Sequence, residues 1–338
     1  MSQVYRLELA RTPDSDTAVD TRWSVAAFDP AAPMRMGGFA ASDGALVPYR
    51  LWPAAAPRGL VLLLHGALDY SAAFDELGPK FSGRGITALA IDQRGFGATP
   101  TRGSWAGRER MIRDVIEGAL FLRMRYGYDM PLFVVGESMG AALAVHCAAR
   151  APDLELSGLV LAAPGAVASL WLRIIGGFVT WFLHHCVPSS SIKIERMSAW
   201  DFTPASAIRL LGDPAVFRQV RPATLFGLFE LARSAVDEAT RVHIPVLAMA
   251  GGRDDVLHLR CVSRLYERLA GEKQWAFFAD APHLLLHWKH YDRVLELVFE
   301  WIDSRLMRMT ELQTQTASKV RIDRLNELAD RQSRLHIA

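Results

Sequence analysis

Apolar residues recur along this chain in two rhythms. Short apolar runs at 60–64, 88–91, 132–135, 246–250 and 275–278 end in glycine, charged or turn-forming residues, as strands do. Longer segments between them carry apolar positions at helical spacing. The clearest is 108–125, with Met111, Ile112, Val115, Leu120, Leu122 and Met124 as its apolar positions. A strand from Gly38, a turn at Asp43-Gly44 and a strand over 46–52 predict an opening hairpin. Strand runs alternating with helices predict an α/β fold, with a mostly parallel central sheet and helices on both faces.

The alternation breaks between 165 and 241, which predicts an inserted helical cap. Its first part, 165–187, is apolar and aromatic, with Trp171, Phe178, Trp181 and Phe182 among its residues. Arg173 and the His184-His185 pair interrupt it, and its uncharged stretches are too short to span a bilayer. Three readings stand: a lid helix lining a pocket, a helix lying on a membrane surface, or plain core. The stretch 201–239 reads as further cap helices, with Phe217, Leu225, Phe226, Leu228 and Phe229 as candidates to line a site. The expected organisation is an N-terminal extension (1–38), a core (39–164 and 242–306), the cap (165–241) and a mixed-charge, helix-prone tail (307–338). The extension lacks the basic-then-apolar pattern of a secretory signal.

Candidate chemistry gathers where the strand runs end. Gly136-Glu-Ser-Met-Gly140 closes the 132–135 run and opens a helical stretch. A G-x-S-x-G pentapeptide in that context makes a sharp strand-to-helix turn that exposes its serine, so Ser138 is a candidate nucleophile. A serine hydroxyl needs a histidine base, itself oriented by a buried carboxylate. Asp254-Asp255 follows the 246–250 run, and His283 follows the 275–278 run. Position alone leaves the two aspartates open. The N–H groups of Met139, after the serine, and of Ala67, after the 60–64 run, are candidates to hold a tetrahedral oxyanion. His65 precedes the serine and reads as a packing residue beneath that hole. Asp92 and Arg94 read as structural anchors of a loop, and His287 as a packing or capping residue.

Taken together, Phe39-Ala-Ala-Ser-Asp43-Gly44, Leu64-His65-Gly66-Ala67, Asp92-Gln93-Arg94-Gly95-Phe96-Gly97, Gly136-Glu-Ser-Met-Gly140, the Gly251–Asp254 turn and Pro282-His283 resemble the monoacylglycerol lipase and lysophospholipase branch of the α/β hydrolases. The resemblance runs from about Phe39 to Leu306, with a poorly matching middle. It implies the α/β-hydrolase fold with an inserted cap, Ser138 as nucleophile, Asp254 as the acid, His283 as the base, and Ala67 and Met139 as oxyanion donors. It implies no cofactor, and hydrolysis of carboxylic esters with an apolar acyl chain. Leu68, Trp171, Phe178 and Phe182 are then the expected substrate-binding residues. Two departures bear on the substrate: Ala67-Leu-Asp-Tyr70 where the lipases carry a Glu-His pair, and Ala141 in place of a second glycine.

Composition narrows the alternatives. Hydrophobic residues make up 51% of the 338, enough for a large core, and a formal charge of +2 without a basic block gives nucleic-acid binding no electrostatic support. The three cysteines, Cys147, Cys186 and Cys261, lie far apart, which points to reduced thiols and a cytoplasmic protein, with peripheral contact to the inner membrane through the cap left open. No metal-ligand motif is present, and a dehalogenase or epoxide hydrolase would need an aspartate at Ser138. A small-ester carboxylesterase, an acyltransferase, a peptidase and a lipid-binding scaffold remain as alternatives. Oligomeric state is not legible.

Overall fold

Leu60 to Leu64 are all buried, which a strand achieves when both faces of its sheet are covered. The computed structural model describes residues 33–167, 170–186, 190–193 and 199–335, so most of the expected N-terminal extension lies outside the described residues. In chain order the strands are β1 (Arg35–Ala40), β2 (Leu46–Trp52), β3 (Gly59–Leu64), β4 (Ile86–Ile91), β5 (Leu132–Glu137), β6 (Gly158–Ala162), the short β7 (Ile192–Lys193) and β8 (Gln219–Val220), β9 (Val246–Gly251) and β10 (Lys273–Phe278). Eight form one sheet in the order β1-β2-β4-β3-β5-β6-β9-β10. The hairpin β1–β2 joins antiparallel to β4, and from β4 to β10 every pairing is parallel. β7 and β8 pair as a separate antiparallel ribbon.

Among the described residues, eight α-helices accompany the strands: α1 (Gly78–Gly83), α2 (Arg108–Tyr126), α3 (Met139–Arg150), α4 (Leu170–Cys186), α5 (Pro204–Gly212), α6 (Pro222–Glu238), α7 (Leu259–Arg268) and α8 (Tyr291–Leu335). Side-chain alternation along β3 divides the core in two. Leu60, Leu62 and Leu64 pack with Met111, Val115 and Leu143 of α2 and α3. Val61 and Leu63 pack with Phe81 of α1 and Val294 and Trp301 of α8. In α2, Met111, Ile112, Val115, Ala119 and Leu122 are buried. Met124 was expected on that face but is 80% exposed. Two positions past Leu122 lie about 200° further round a helix, on the opposite side.

The segment between β6 and β9 carries α4, α5 and α6. One side of α4 meets α6: a β-carbon on Gly176 would lie 2.7 Å from the Phe229 ring, and His184 stacks on Phe226 at 5.7 Å. The other side carries Phe178, Trp181 and Phe182, at i, i+3 and i+4, and these are 63%, 45% and 46% exposed. α5 opens on Thr203, whose hydroxyl accepts the Ser206 N–H, a cap that satisfies one of the free amides of the first turn. Near the C-terminus, Leu306 is the last buried residue among the described side chains. The helix does not stop there. No glycine or proline follows Tyr291, so nothing in the chain breaks α8 before Leu335.

Candidate active site

Parallel strands deliver their carboxyl ends to one edge of the sheet, and the loops leaving β3, β5, β9 and β10 meet there. Ser138 stands between the end of β5 and the first residue of α3 with φ 53° and ψ −111°. A non-glycine residue at positive φ costs about 1–3 kcal/mol and persists when its surroundings over-determine it. Here they do. A β-carbon on Gly136 would lie 2.5 Å from the Gly140 carbonyl carbon, and one on Gly140 would lie 2.1 Å from the Leu64 carbonyl oxygen. Both glycines are therefore required by backbone contact, and the elbow is pressed onto the end of β3.

The Ser138 hydroxyl lies 2.9 Å from His283 Nε2, and His283 Nδ1 lies 2.8 Å from Asp254 Oδ2. A carboxylate only accepts, so Nδ1–H donates to Asp254 and Nε2 is left to accept the serine proton. The other carboxylate oxygen of Asp254 accepts the N–H groups of Val256 and Leu257 at 2.9 and 2.7 Å. Burial raises the acid's pKa. The His283 hydrogen bond and charge, with the two amides, outweigh that, and the net effect holds it below the ordinary aspartate value. It therefore stays ionised through neutral and mildly acid pH, able to stabilise an imidazolium. Asp255 and Asp280 are exposed, so the structure brings Asp254, not its neighbour, to His283.

Among the described residues the N–H groups of Ala67 and Met139 have no protein acceptor. His65 braces the Ala67 loop from beneath: Nδ1 meets the Gly66 carbonyl at 2.8 Å, and Nε2 accepts the Gln93 N–H at 3.0 Å. Asp92 accepts the amides of Ser71 and Ala98, while Arg94 pairs with Asp43 and Asp114 rather than with Asp92. Both are loop anchors. Among the described residues no group of three or more His, Cys, Asp or Glu is arranged to hold a metal ion.

A cavity of about 280 Å³ opens onto Ser138 and His283. Its walls are mainly apolar and include Leu68, Phe202, Val216, Phe217, Leu225 and Leu228. Leu68 thus lines the cavity. Phe178 and Phe182 do not, and the expectation that they would is corrected: Phe226 and Phe229 of α6 occupy the inner side of α4 and turn those rings outward. The Trp171 side chain lies outside the described residues. Leu225 and Leu228, one turn apart on α6, face the cavity, whereas Phe226 and Phe229 face α4. A more open groove of about 700 Å³, bordered by Arg58, Pro131 and Leu306, lies at the opposite ends of β3 and β5, away from Ser138.

Comparison with known proteins agrees with this architecture. Residues 55–289 match the serine aminopeptidase S33 family. Mouse monoglyceride lipase is 31% identical over 276 residues, covering 78% of this chain and 89% of its own. The chain belongs to the monoacylglycerol lipase branch of this α/β-hydrolase family. Monoacylglycerol lipase of Mycolicibacterium smegmatis is 26% identical over 277 residues, covering 79% of this chain and 96% of its own. A soluble variant of Saccharomyces cerevisiae monoglyceride lipase, solved with a substrate analog, shares the fold at TM-score 0.67 and 19% identity, over 84% of this chain and 98% of that one. As a member of this branch the chain is a serine ester hydrolase.

Polar residues beside the elbow of this hydrolase had no expected place at the site. Glu137 accepts the Leu286 N–H at 2.8 Å and lies 3.2 Å from His287 Nε2, tying the elbow to the His283 loop. Arg209 of α5 reaches Asp69 in the Ala67 loop. The two ends of that pair stand 140 positions apart. A lone arginine among Ile208, Leu210 and Leu211 carries no local signal of a partner so distant.

Proposed function

We propose that this protein hydrolyses lipid esters bearing one apolar acyl chain, such as monoacylglycerols or lysophospholipids, through an acyl-enzyme. The observation that carries the reading is the Ser138–His283–Asp254 relay opening onto an apolar cavity. Ser138 attacks the ester carbonyl as His283 Nε2 takes its proton, and Asp254 holds the imidazole and stabilises its positive charge. The N–H groups of Ala67 and Met139 receive the oxyanion, each worth about 3–4 kcal/mol to such a transition state. His283 then protonates the departing alcohol. Water, deprotonated by the same histidine, releases the fatty acid and restores Ser138. A cavity of about 280 Å³ lies just below the usual span of ligand pockets, about 300–1,000 Å³, and that favours one acyl chain over two.

Monoglyceride lipases among the relatives, and the relative from Bacillus subtilis described as phospholipase YtpA, support a lipid substrate. The outward aromatic face of α4 suits peripheral contact with a lipid surface, and a cytoplasmic enzyme would meet its substrate at the inner membrane. Among the described residues no helix is long and apolar enough to cross a membrane. A peptidase reading would need a free carboxylate to hold a substrate amine. Of the two carboxylates on the cavity wall, Asp69 is already paired with Arg209, and Glu137 is buried and accepts the Leu286 N–H, which weighs against it.

The test is turnover of nitrophenyl esters of graded acyl length by the wild type and by Ser138→Ala. Rates should rise from acetyl to medium-chain esters and fall in the variant by up to about 10⁶-fold, the scale seen when a triad serine is removed. Activity confined to acetyl esters would demote the substrate to a small ester. Absence of any Ser138-dependent hydrolysis would overturn the reading.

A further inference from the structure

The polar residues beside the elbow form one chain of contacts. His287 is 2% exposed and lies between two groups of opposite character. Its Nε2 faces the Glu137 carboxylate at 3.2 Å, and its Nδ1 faces Ser206 Oγ at 3.3 Å and Arg209 Nη2 at 3.4 Å. A guanidinium only donates, so Nδ1 is an acceptor and the ring proton sits on Nε2, the nitrogen on the Glu137 side, close to that carboxylate but not aligned with it as a hydrogen bond. The other guanidinium nitrogen of Arg209 pairs with Asp69 Oδ1, which also accepts the Tyr70 N–H at 2.9 Å. The chain therefore runs Glu137, His287, Arg209, Asp69. Its ends lie one residue before Ser138 and two residues after Ala67.

From this we propose that Arg209, a residue of the inserted segment, is a positioning residue for the oxyanion loop and works by holding Asp69. The proposal rests on the esterase reading given above. Asp69 and Arg209 side chains are 7% and 11% exposed, so a carboxylate left without its guanidinium would be a buried, unpaired charge and the loop would move to hydrate it. That loop has little slack. Leu68, between Ala67 and Asp69, stands at φ 72°, and its carbonyl accepts the Phe217 N–H at 2.9 Å, a second tie to the inserted segment. An amide aimed at an oxyanion contributes only within a few tenths of an ångström of its place, so a shifted loop lowers the rate of the chemical step more than substrate binding.

Steady-state kinetics on a medium-chain nitrophenyl ester test this with Arg209→Met, Arg209→Lys and the double variant Asp69→Asn/Arg209→Met, alongside thermal melts. Arg209→Met should lower kcat about 10- to 100-fold with KM within about twofold, since one misplaced oxyanion donor costs at most about 10²–10³. Arg209→Lys should recover part of the loss. The double variant should be faster than Arg209→Met alone, because no unpaired carboxylate remains, and it keeps the test valid if the single variant folds poorly. Three results overturn the proposal: a lower melting temperature with unchanged kcat, a raised KM at constant kcat, or a double variant no faster than the single. A wild type inactive on every ester would instead sink the esterase reading itself.

Discussion

Gly140 shows how tightly one residue is specified at this site. A β-carbon there would meet backbone, the Leu64 carbonyl oxygen at 2.1 Å and its carbon at 2.5 Å, and neither can rotate away. Gly140→Ala must push α3 off β3, which should destabilise the fold by about 1–3 kcal/mol and disturb the Met139 amide. A β-carbon on Gly83, the last residue of α1, would have nothing within 4 Å of it, so Gly83→Ala should be neutral or stabilising by up to about 1 kcal/mol. Urea denaturation of both variants checks the contrast, and equal midpoints would refute it. The same reasoning explains what was legible in the sequence. Gly136, Ser138 and Gly140 are neighbours in the chain, and Asp254 and His283 each follow a strand, so local pattern pointed to residues that the fold brings together. Arg209 and Asp69 meet only because α5 lies over the β3 loop, and nothing local records that.

Among the elements, the strands and helices of the core were readable because burial on two faces leaves long apolar runs. The rotation of α4 was not readable. Its sequence is apolar on most sides, and which side turns inward is decided by Phe226 and Phe229 on α6. α6 also packs on α3, where His146 is buried with Nε2 3.1 Å from Ser234 Oγ and 3.4 Å from the Leu231 carbonyl. Burial, then the charge of Arg150, outweigh the Leu231 carbonyl and Glu238 and lower the His146 pKa from 6.5 to about 4. The unfolded chain binds this proton below about pH 6.5, whereas the folded one does not until about pH 4. This histidine therefore makes stability fall as the pH drops through that window, by on the order of 3 kcal/mol, and level off below it. Chemical denaturation of the wild type and His146→Gln at pH 7, 5.5 and 4.5 should give a shallower decline in the variant. Parallel declines would show that the α3–α6 contact does not carry the acid sensitivity.

For the molecule as a whole, the charge of +2 gives no strong field to draw it to an anionic surface, so any lipid contact must come from apolar area. α4 supplies it on the side away from the cavity, where Phe178, Trp181 and Phe182 form one half-exposed aromatic face. Full burial of a large apolar side chain is worth about 1.5–3 kcal/mol, so covering the exposed part of each is worth about 1 kcal/mol. Replacing all three with serine should weaken partition onto neutral vesicles by about 10- to 100-fold, at about 1.4 kcal/mol per decade. None of the three lines the cavity, and Ser138, His283 and Asp254 lie on the loops of the sheet. The same variant should therefore hydrolyse a water-soluble butyryl ester at the wild-type rate while losing activity on monoacylglycerol held in vesicles. The two substrates separate surface contact from chemistry. Equal loss on both would mean that α4 supports the site itself, and no loss on either would mean that the aromatic face has another purpose.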